Sequence, residues 1–125
     1  MARILMYNIE SKKAAQMKLL FSRLGLDYRT VEPDEFAYPL KVLLDLGESE
    51  PKVGDCDFDE EMLYLDDING DMLNILLYQL RKDGLSVALK AVRTDSNIEF
   101  SSYELYTELS AEREAIANNT TAHQQ

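Results

Sequence analysis

Two adjacent aspartates, Asp66-Asp67, follow the apolar run Met62-Leu63-Tyr64-Leu65 and precede the turn Ile68-Asn69-Gly70-Asp71. Carboxylates paired at the carboxyl end of a buried strand can hold Mg²⁺, a hard cation that takes oxygen ligands. Lys90 would be the balancing cation. The simpler reading is structural: aspartate and asparagine in a turn hydrogen-bond their own backbone and cap the helix that follows. A second acidic pattern, Asp55-x-Asp57-x-Asp59, opens like a calcium loop. It places Glu60 where the loop's glycine is needed and ends on Asp66, so a solvated acidic connector is expected instead.

Lys90, Thr94 and Asn97 form a polar trio that could line a crevice for an anionic ligand. Thr94, Asp95 and Asn97 also suit a turn ahead of a helix start at Ser101. The single cysteine, Cys56, lies between Asp55 and Asp57, where negative charge disfavours the thiolate. The single histidine, His123, sits in a polar tail. These positions supply neither a nucleophile with its base nor a zinc cage, so no catalytic residue is assigned and no cofactor is expected.

The formal net charge is −10. Between Asp45 and Asp71 lie eleven acidic residues and one basic residue, Lys52, so this segment accounts for the whole imbalance. Such a field repels phosphate backbones and anionic lipid; neither nucleic acid nor membrane is an expected partner. No run approaches the ~18 apolar residues of a membrane span. The amino terminus enters a strand at once, without the apolar region and cleavage site of a signal peptide, so a cytoplasmic location is expected.

These groups must be positioned by elements that the sequence also indicates. Arg3 to Ile9 is almost continuously apolar, as in a strand buried on both faces. Ser11 is a candidate N-cap for a helix carrying Ala14, Met17, Leu20, Phe21 and Leu24, stopped at Gly25. A strand over Tyr28 to Val31 follows, then a helix capped by Asp34 with Phe36, Leu40, Leu43 and Leu44 as its stripe and Pro39 as an irregularity. After an exposed connector, 47–59, the plan recurs: the strand before Asp66, a helix from Asp71 to Lys82 stopped at Gly84, a strand Val87 to Val92, and a helix opened by the capping box Ser101…Glu104.

Shifting the first half by 59 residues places Ile9 on Ile68, Met17 on Leu76, Phe21 on Leu80 and Gly25 on Gly84. A six-residue insertion then brings Leu40 onto Leu105. The expected organisation is one domain, 1–117, of two pseudo-repeats (1–46 and 60–117), with a disordered tail, 118–125. The expected fold is α/β, a three-layer sandwich of two β-α-β-α repeats around a four-stranded sheet. If the central strands meet antiparallel, the alternative is a ferredoxin-like α+β core with two extra helices.

The second half resembles an uncharacterised bacterial family of unknown function. The likeness is carried by Glu61-Met62-Leu63, by Leu80-Arg81-Lys82-Asp83-Gly84, by Leu89-Lys90-Ala91-Val92 with Thr94 and Asn97, and by Tyr103-Glu104-Leu105-Tyr106 with Glu108-Leu109. The family commonly has a tryptophan soon after that asparagine, where this chain has Glu99-Phe100. The resemblance implies a fold and no activity.

The leading functional expectation is therefore a small, acidic, non-enzymatic protein-interaction or regulatory module. A receiver-like domain, binding a divalent ion or small molecule through Asp66, Asp67 and Lys90, is the alternative. Leu73, Leu76, Leu77 and Leu80 make a core-facing stripe, and Met72, Ile75 and Tyr78 begin a second one. Because closed dimers are the commonest soluble oligomers, a homodimer through Met72, Ile75 and Tyr78 is expected.

Overall fold

The computed structural model describes residues 1–123, with side chains through Asn118. It divides into two compact units, each drawing on both halves of the chain: Met1–Glu32 with Asp59–Thr94, and Pro33–Phe58 with the segment from Asp95 on. Among the described residues no helix is long and apolar enough to cross a membrane.

The first unit is a sheet with two helices. Strands β1 (Arg3–Tyr7), β2 (Asp27–Val31), β3 (Met62–Asp66) and β4 (Leu89–Val92) lie in the order β2-β1-β3-β4. β1 and β2 are parallel, as are β3 and β4; the central pair, β1 and β3, is antiparallel. Helix α1 (Ser11–Arg23) joins the first parallel pair and α3 (Gly70–Lys82) the second; α2 (Leu40–Leu43) lies in the segment between β2 and β3. One sheet face presents Ile4, Met6, Leu63 and Leu65 to Met17, Leu20 and Phe21 of α1 and to Leu76 and Leu80 of α3. The other presents Leu5, Tyr7, Met62 and Tyr64, which are buried as completely. Burial on both faces is why the two central strands read as unbroken apolar runs rather than alternating ones. Each such side chain removed from water contributes about 1.5–3 kcal/mol.

The protein is thus an α/β fold, with a four-stranded mixed sheet and four α-helices among the described residues. The central strands meet antiparallel, the condition attached to the ferredoxin-like alternative. A ferredoxin-like core, however, splits its β-α-β units, whereas here the two strands of each unit stay neighbours.

The helix ends show how local sequence sets these elements. Glu10, not Ser11, is the N-cap of α1: its carboxylate accepts from the amides of Lys12 and Lys13, both at 3.0 Å. Its two oxygens satisfy two of the four unpaired amides of the first turn, where a serine hydroxyl would serve one. Asn69 caps α3 by accepting from the Met72 amide at 2.8 Å. Both helices stop on a left-handed glycine, Gly25 (φ 74) and Gly84 (φ 70). The next residue, Leu26 or Leu85, donates back to the carbonyl of Phe21 or Leu80 at 2.8 Å and buries its own side chain.

The second unit is built from short pieces. The helix expected after Asp34 is broken in two: a 3-10 turn, Pro33–Glu35, and then α2, Leu40–Leu43, which begins after Pro39. Proline disfavours helical geometry in the residue before it, and here it marks a helix start. A second 3-10 turn, Asn97–Glu99, precedes α4, Ser102–His123. Ser101 and Glu104 form the expected capping box: the Ser101 amide donates to Glu104 at 2.9 Å and the Glu104 amide to the Ser101 hydroxyl at 3.1 Å. A lone antiparallel bridge joins Pro39 and Ser101, and the Leu40 amide donates to the Phe100 carbonyl at 2.7 Å. The tail expected to be disordered falls mostly on residues beyond Asn118, whose side chains lie outside the described set.

The acidic connector is largely exposed but anchored at its end. Phe58 is only 8% exposed. Its ring stacks on Phe36 and on Tyr106, each at 4.5 Å between centroids. Charge dominates the composition of this stretch and hides this anchor, as it hides the Lys52 amide that donates to the Ala37 carbonyl at 2.8 Å.

Two outcomes test this account. Phe58→Ala removes the ring that both Phe36 and Tyr106 stack on and is expected to lower stability by about 3 kcal/mol in urea unfolding, while an acid-selective protease cuts faster between Glu48 and Asp57. Asn69→Ala is expected to cost about 1 kcal/mol through the lost cap, with no change in the slope of the urea transition.

Candidate functional site

Asp66 ends β3 and Asp67 begins the turn, as the sequence indicates, but the two carboxylates do not converge. Asp66 is buried, and Arg93 Nη1 lies 2.7 Å from its Oδ1. A buried carboxylate without a counter-charge would be costly, and Arg93 supplies one. Sequence reading missed this arginine. The parallel ladder pairs Leu65 with Val92, so the next residues on each strand, Asp66 and Arg93, fall opposite each other. Neighbouring Tyr64 is fully buried; that burial first, and then the charge of Asp66, push its hydroxyl above the usual tyrosine range.

Asp67 is exposed and left-handed (φ 57), a conformation that aspartate and asparagine tolerate better than most residues. It accepts a hydrogen bond from the Met1 ammonium at 2.9 Å. That bond and the ammonium charge hold its carboxyl below the ordinary aspartate range. Both members of the pair thus face cations of the chain itself. Among the described residues no group of three or more His, Cys, Asp and Glu side chains is placed to hold a metal ion. In the Asp55-x-Asp57 stretch, the Asp57 amide donates to Asp55 Oδ1 at 3.3 Å, a local turn contact.

Lys90 lies on edge strand β4, opposite Leu63, so its side chain points to the face covered by α1 and α3. Its ammonium donates to the Val87 carbonyl. Burial holds its pKa below the ordinary lysine range. Beside it is a hollow of about 140 Å³ lined by Leu77, Leu80, Arg81, Ser86, Val87 and Lys90. Of the other two members of the polar trio, Thr94 belongs to the first unit and Asn97, which opens the second 3-10 turn, to the second. The residues that do surround Lys90, namely Arg81, Ser86 and Val87, carry no spacing signal of their own.

On α3, Leu76 and Leu80 are fully buried, and Met72 and Leu73 pack at the margin of the core. Ile75 (46% exposed) and Tyr78 (53%) stand on the outer face. Leu19 of α1, 72% exposed, is a third large apolar side chain of this helical layer.

Acid titration and Mg²⁺ addition separate a structural aspartate pair from a metal site. Glu10 and Asp67 both have depressed carboxyl pKa values, Glu10 through its two backbone amides. Their contributions are present above the unfolded-state carboxyl pKa and are lost as pH falls through the lower folded values. Glu10→Gln and Asp67→Asn should each therefore make the acid limb of stability against pH shallower. The melting temperature of the parent, and of Asp66→Asn with Asp67→Asn, should not respond to millimolar Mg²⁺. A Mg²⁺-dependent rise in the parent that the double variant loses would restore the metal reading.

No curated protein and no solved structure matches the chain. Residues 61–116, which carry β3, α3, β4 and the first part of α4, match the model of a family described as a domain of unknown function, DUF3783.

Proposed function

We propose that the protein is a small, acidic, cytosolic, non-enzymatic module that works by protein contact. The observation that carries this reading is the exposed apolar set Leu19, Ile75 and Tyr78 on the outer helices of the sheet unit. Large apolar side chains left in water on a helical layer are available to a partner that can bury them.

Charge favours a particular partner. The first unit carries ten basic and ten acidic residues, whereas the second carries three and thirteen, the entire net charge of −10. The two helices that bear these side chains also carry Lys12, Lys13, Lys18 and Arg23 on α1 and Arg81 and Lys82 on α3, against one acidic residue, Asp71. A surface of this kind suits a partner with acidic residues around an apolar anchor. A second copy of this chain qualifies through its own acidic unit, and the proposed assembly is a homodimer in which Ile75 and Tyr78, with Met72 behind them, meet that unit. The chain folds in this reading as one domain of two pseudo-repeats, since neither half contains all of either unit. The divalent-ion alternative at Asp66, Asp67 and Lys90 gains no comparable support, because these groups are engaged with Arg93, the Met1 ammonium and the Val87 carbonyl.

Light scattering at micromolar concentration is the test. The expected parent is a dimer that weakens at high salt, as screened charge pairs do. Ile75→Glu should be a folded monomer, since the position is already half in water. A parent that is monomeric at high concentration removes the self-contact, and a dimer unaffected by Ile75→Glu removes this face from it.

A further inference from the structure

The hollow beside Lys90 has a counterpart in the first half of the same unit, and there the space is filled. Ile4 and Leu63 are the second residues of β1 and β3 and pair with Tyr28 and Lys90 respectively, so Tyr28 and Lys90 hold matching strand positions. Phe21 and Leu80 match likewise, each accepting the helix-terminating bond from the leucine after the glycine. In the first half the rings of Phe21 and Tyr28 lie 6.2 Å apart, and Lys18 Nζ sits 6.0 Å from the Tyr28 centroid. In the second half both rings are missing: leucine replaces one and lysine the other. What remains is an apolar floor of Leu77, Leu80 and Val87 with two cations, Lys90 and Arg81, at its rim.

Each cation has an ordinary structural explanation. An inward-facing lysine on an edge strand blocks pairing with other sheets. Arginine in the last turn of a helix complements the helix dipole. Neither explanation accounts for an unfilled apolar space between them, or for a half-buried ammonium whose partner is the neutral Val87 carbonyl rather than a carboxylate.

We propose that this hollow binds a small carboxylate with a compact apolar body. The carboxylate lies between Lys90 and Arg81, and the body occupies the space that an aromatic ring fills in the first half. At about 140 Å³ the hollow is smaller than the ~300–1,000 Å³ of pockets for drug-sized ligands. That size excludes nucleotides and suits a single ring or a short branched chain. An anion there would also favour the charged form of Lys90, so binding should strengthen as pH falls from the alkaline side. The other polar residues lining the hollow are Arg81 of α3 and Ser86; Lys13, which donates to the Ser86 carbonyl at 2.9 Å, adds positive charge nearby, and its partner Glu61 at 2.8 Å offsets that charge.

Thermal unfolding of the full chain at low ionic strength tests the proposal, with benzoate, acetate and inorganic phosphate as probes. A ligand of the native state raises the melting temperature by mass action. Benzoate is expected to raise it saturably, and acetate and phosphate at the same concentration to do so at least tenfold less effectively. Lys90→Gln should abolish the benzoate effect, Arg81→Gln should weaken it, and Lys82→Gln, on the same turn but outside the hollow, should leave it intact. Lys90→Tyr, which restores the first half's residue, should also abolish it. If Lys90→Gln fails to fold, Arg81→Gln against Lys82→Gln decides, because both lie on the helix surface. Absence of benzoate stabilisation, an equal effect in the Arg81 and Lys82 variants, or phosphate as effective as benzoate would overturn the proposal.

Discussion

The antiparallel pairing of β1 with β3 is the contact on which the sheet unit depends. It joins residues 3–7 to residues 62–66, with Leu5 opposite Tyr64 at its centre. Each strand brings its own parallel neighbour and its own helix, so this seam is where the two β-α-β units become one sheet. Apart from Arg3 at its edge, its side chains are excluded from water on both faces. Closing so long a loop costs conformational entropy, which grows only slowly with loop length, while apolar burial along the seam grows with every residue pair. A two-stranded fragment with one helix would have neither a second strand pair nor a second helix to complete that core.

Around the seam, the chain uses one set of devices twice. β1 and β3 share an offset of 59 residues, as do α1 and α3 and the terminating glycines Gly25 and Gly84. Asn8 and Asp67, also 59 apart, both take a left-handed backbone with φ 57 immediately after the strand. Beyond Leu85 the offset changes to 62: β1 pairs Arg3 with Asp27 and β3 pairs Met62 with Leu89. The bridged residues Pro39 and Ser101 are 62 apart as well. The insertion is thus three residues before β4 rather than six before the last helix. Leu105 then corresponds to buried Leu43, one turn along from Leu40.

What could be read from the sequence followed from short-range rules. Continuous apolar runs gave the central strands, glycines after helical stripes gave the stops, and Ser101 with Glu104 gave a cap by spacing alone. The failures have physical causes too. Glu10 outcompeted Ser11 because a carboxylate reaches two amides. Phe58 was concealed in a run of charges because its partners, Phe36 and Tyr106, are distant in sequence. The Asp66–Arg93 pair depends on strand register, which no local pattern encodes. The candidate binding residues were legible only in part: Lys90 stands out as a charge in an apolar strand, but Arg81 and Ser86 meet it only after the chain has folded.

The three extra residues, Ser86-Val87-Ala88, have a consequence for how the two halves can diverge. A chain that uses one plan twice around a shared seam cannot easily alter either copy of the seam, because each strand is the other's neighbour. The outer strands are under no such mutual restraint. At β2 the chain arrives directly and Tyr28 closes the gap beneath the helix; at β4 it takes a detour, and Val87 and Ser86 become part of a wall around a gap left open. A change at one outer strand can therefore reshape the space beneath its helix while the central pair keeps the scaffold.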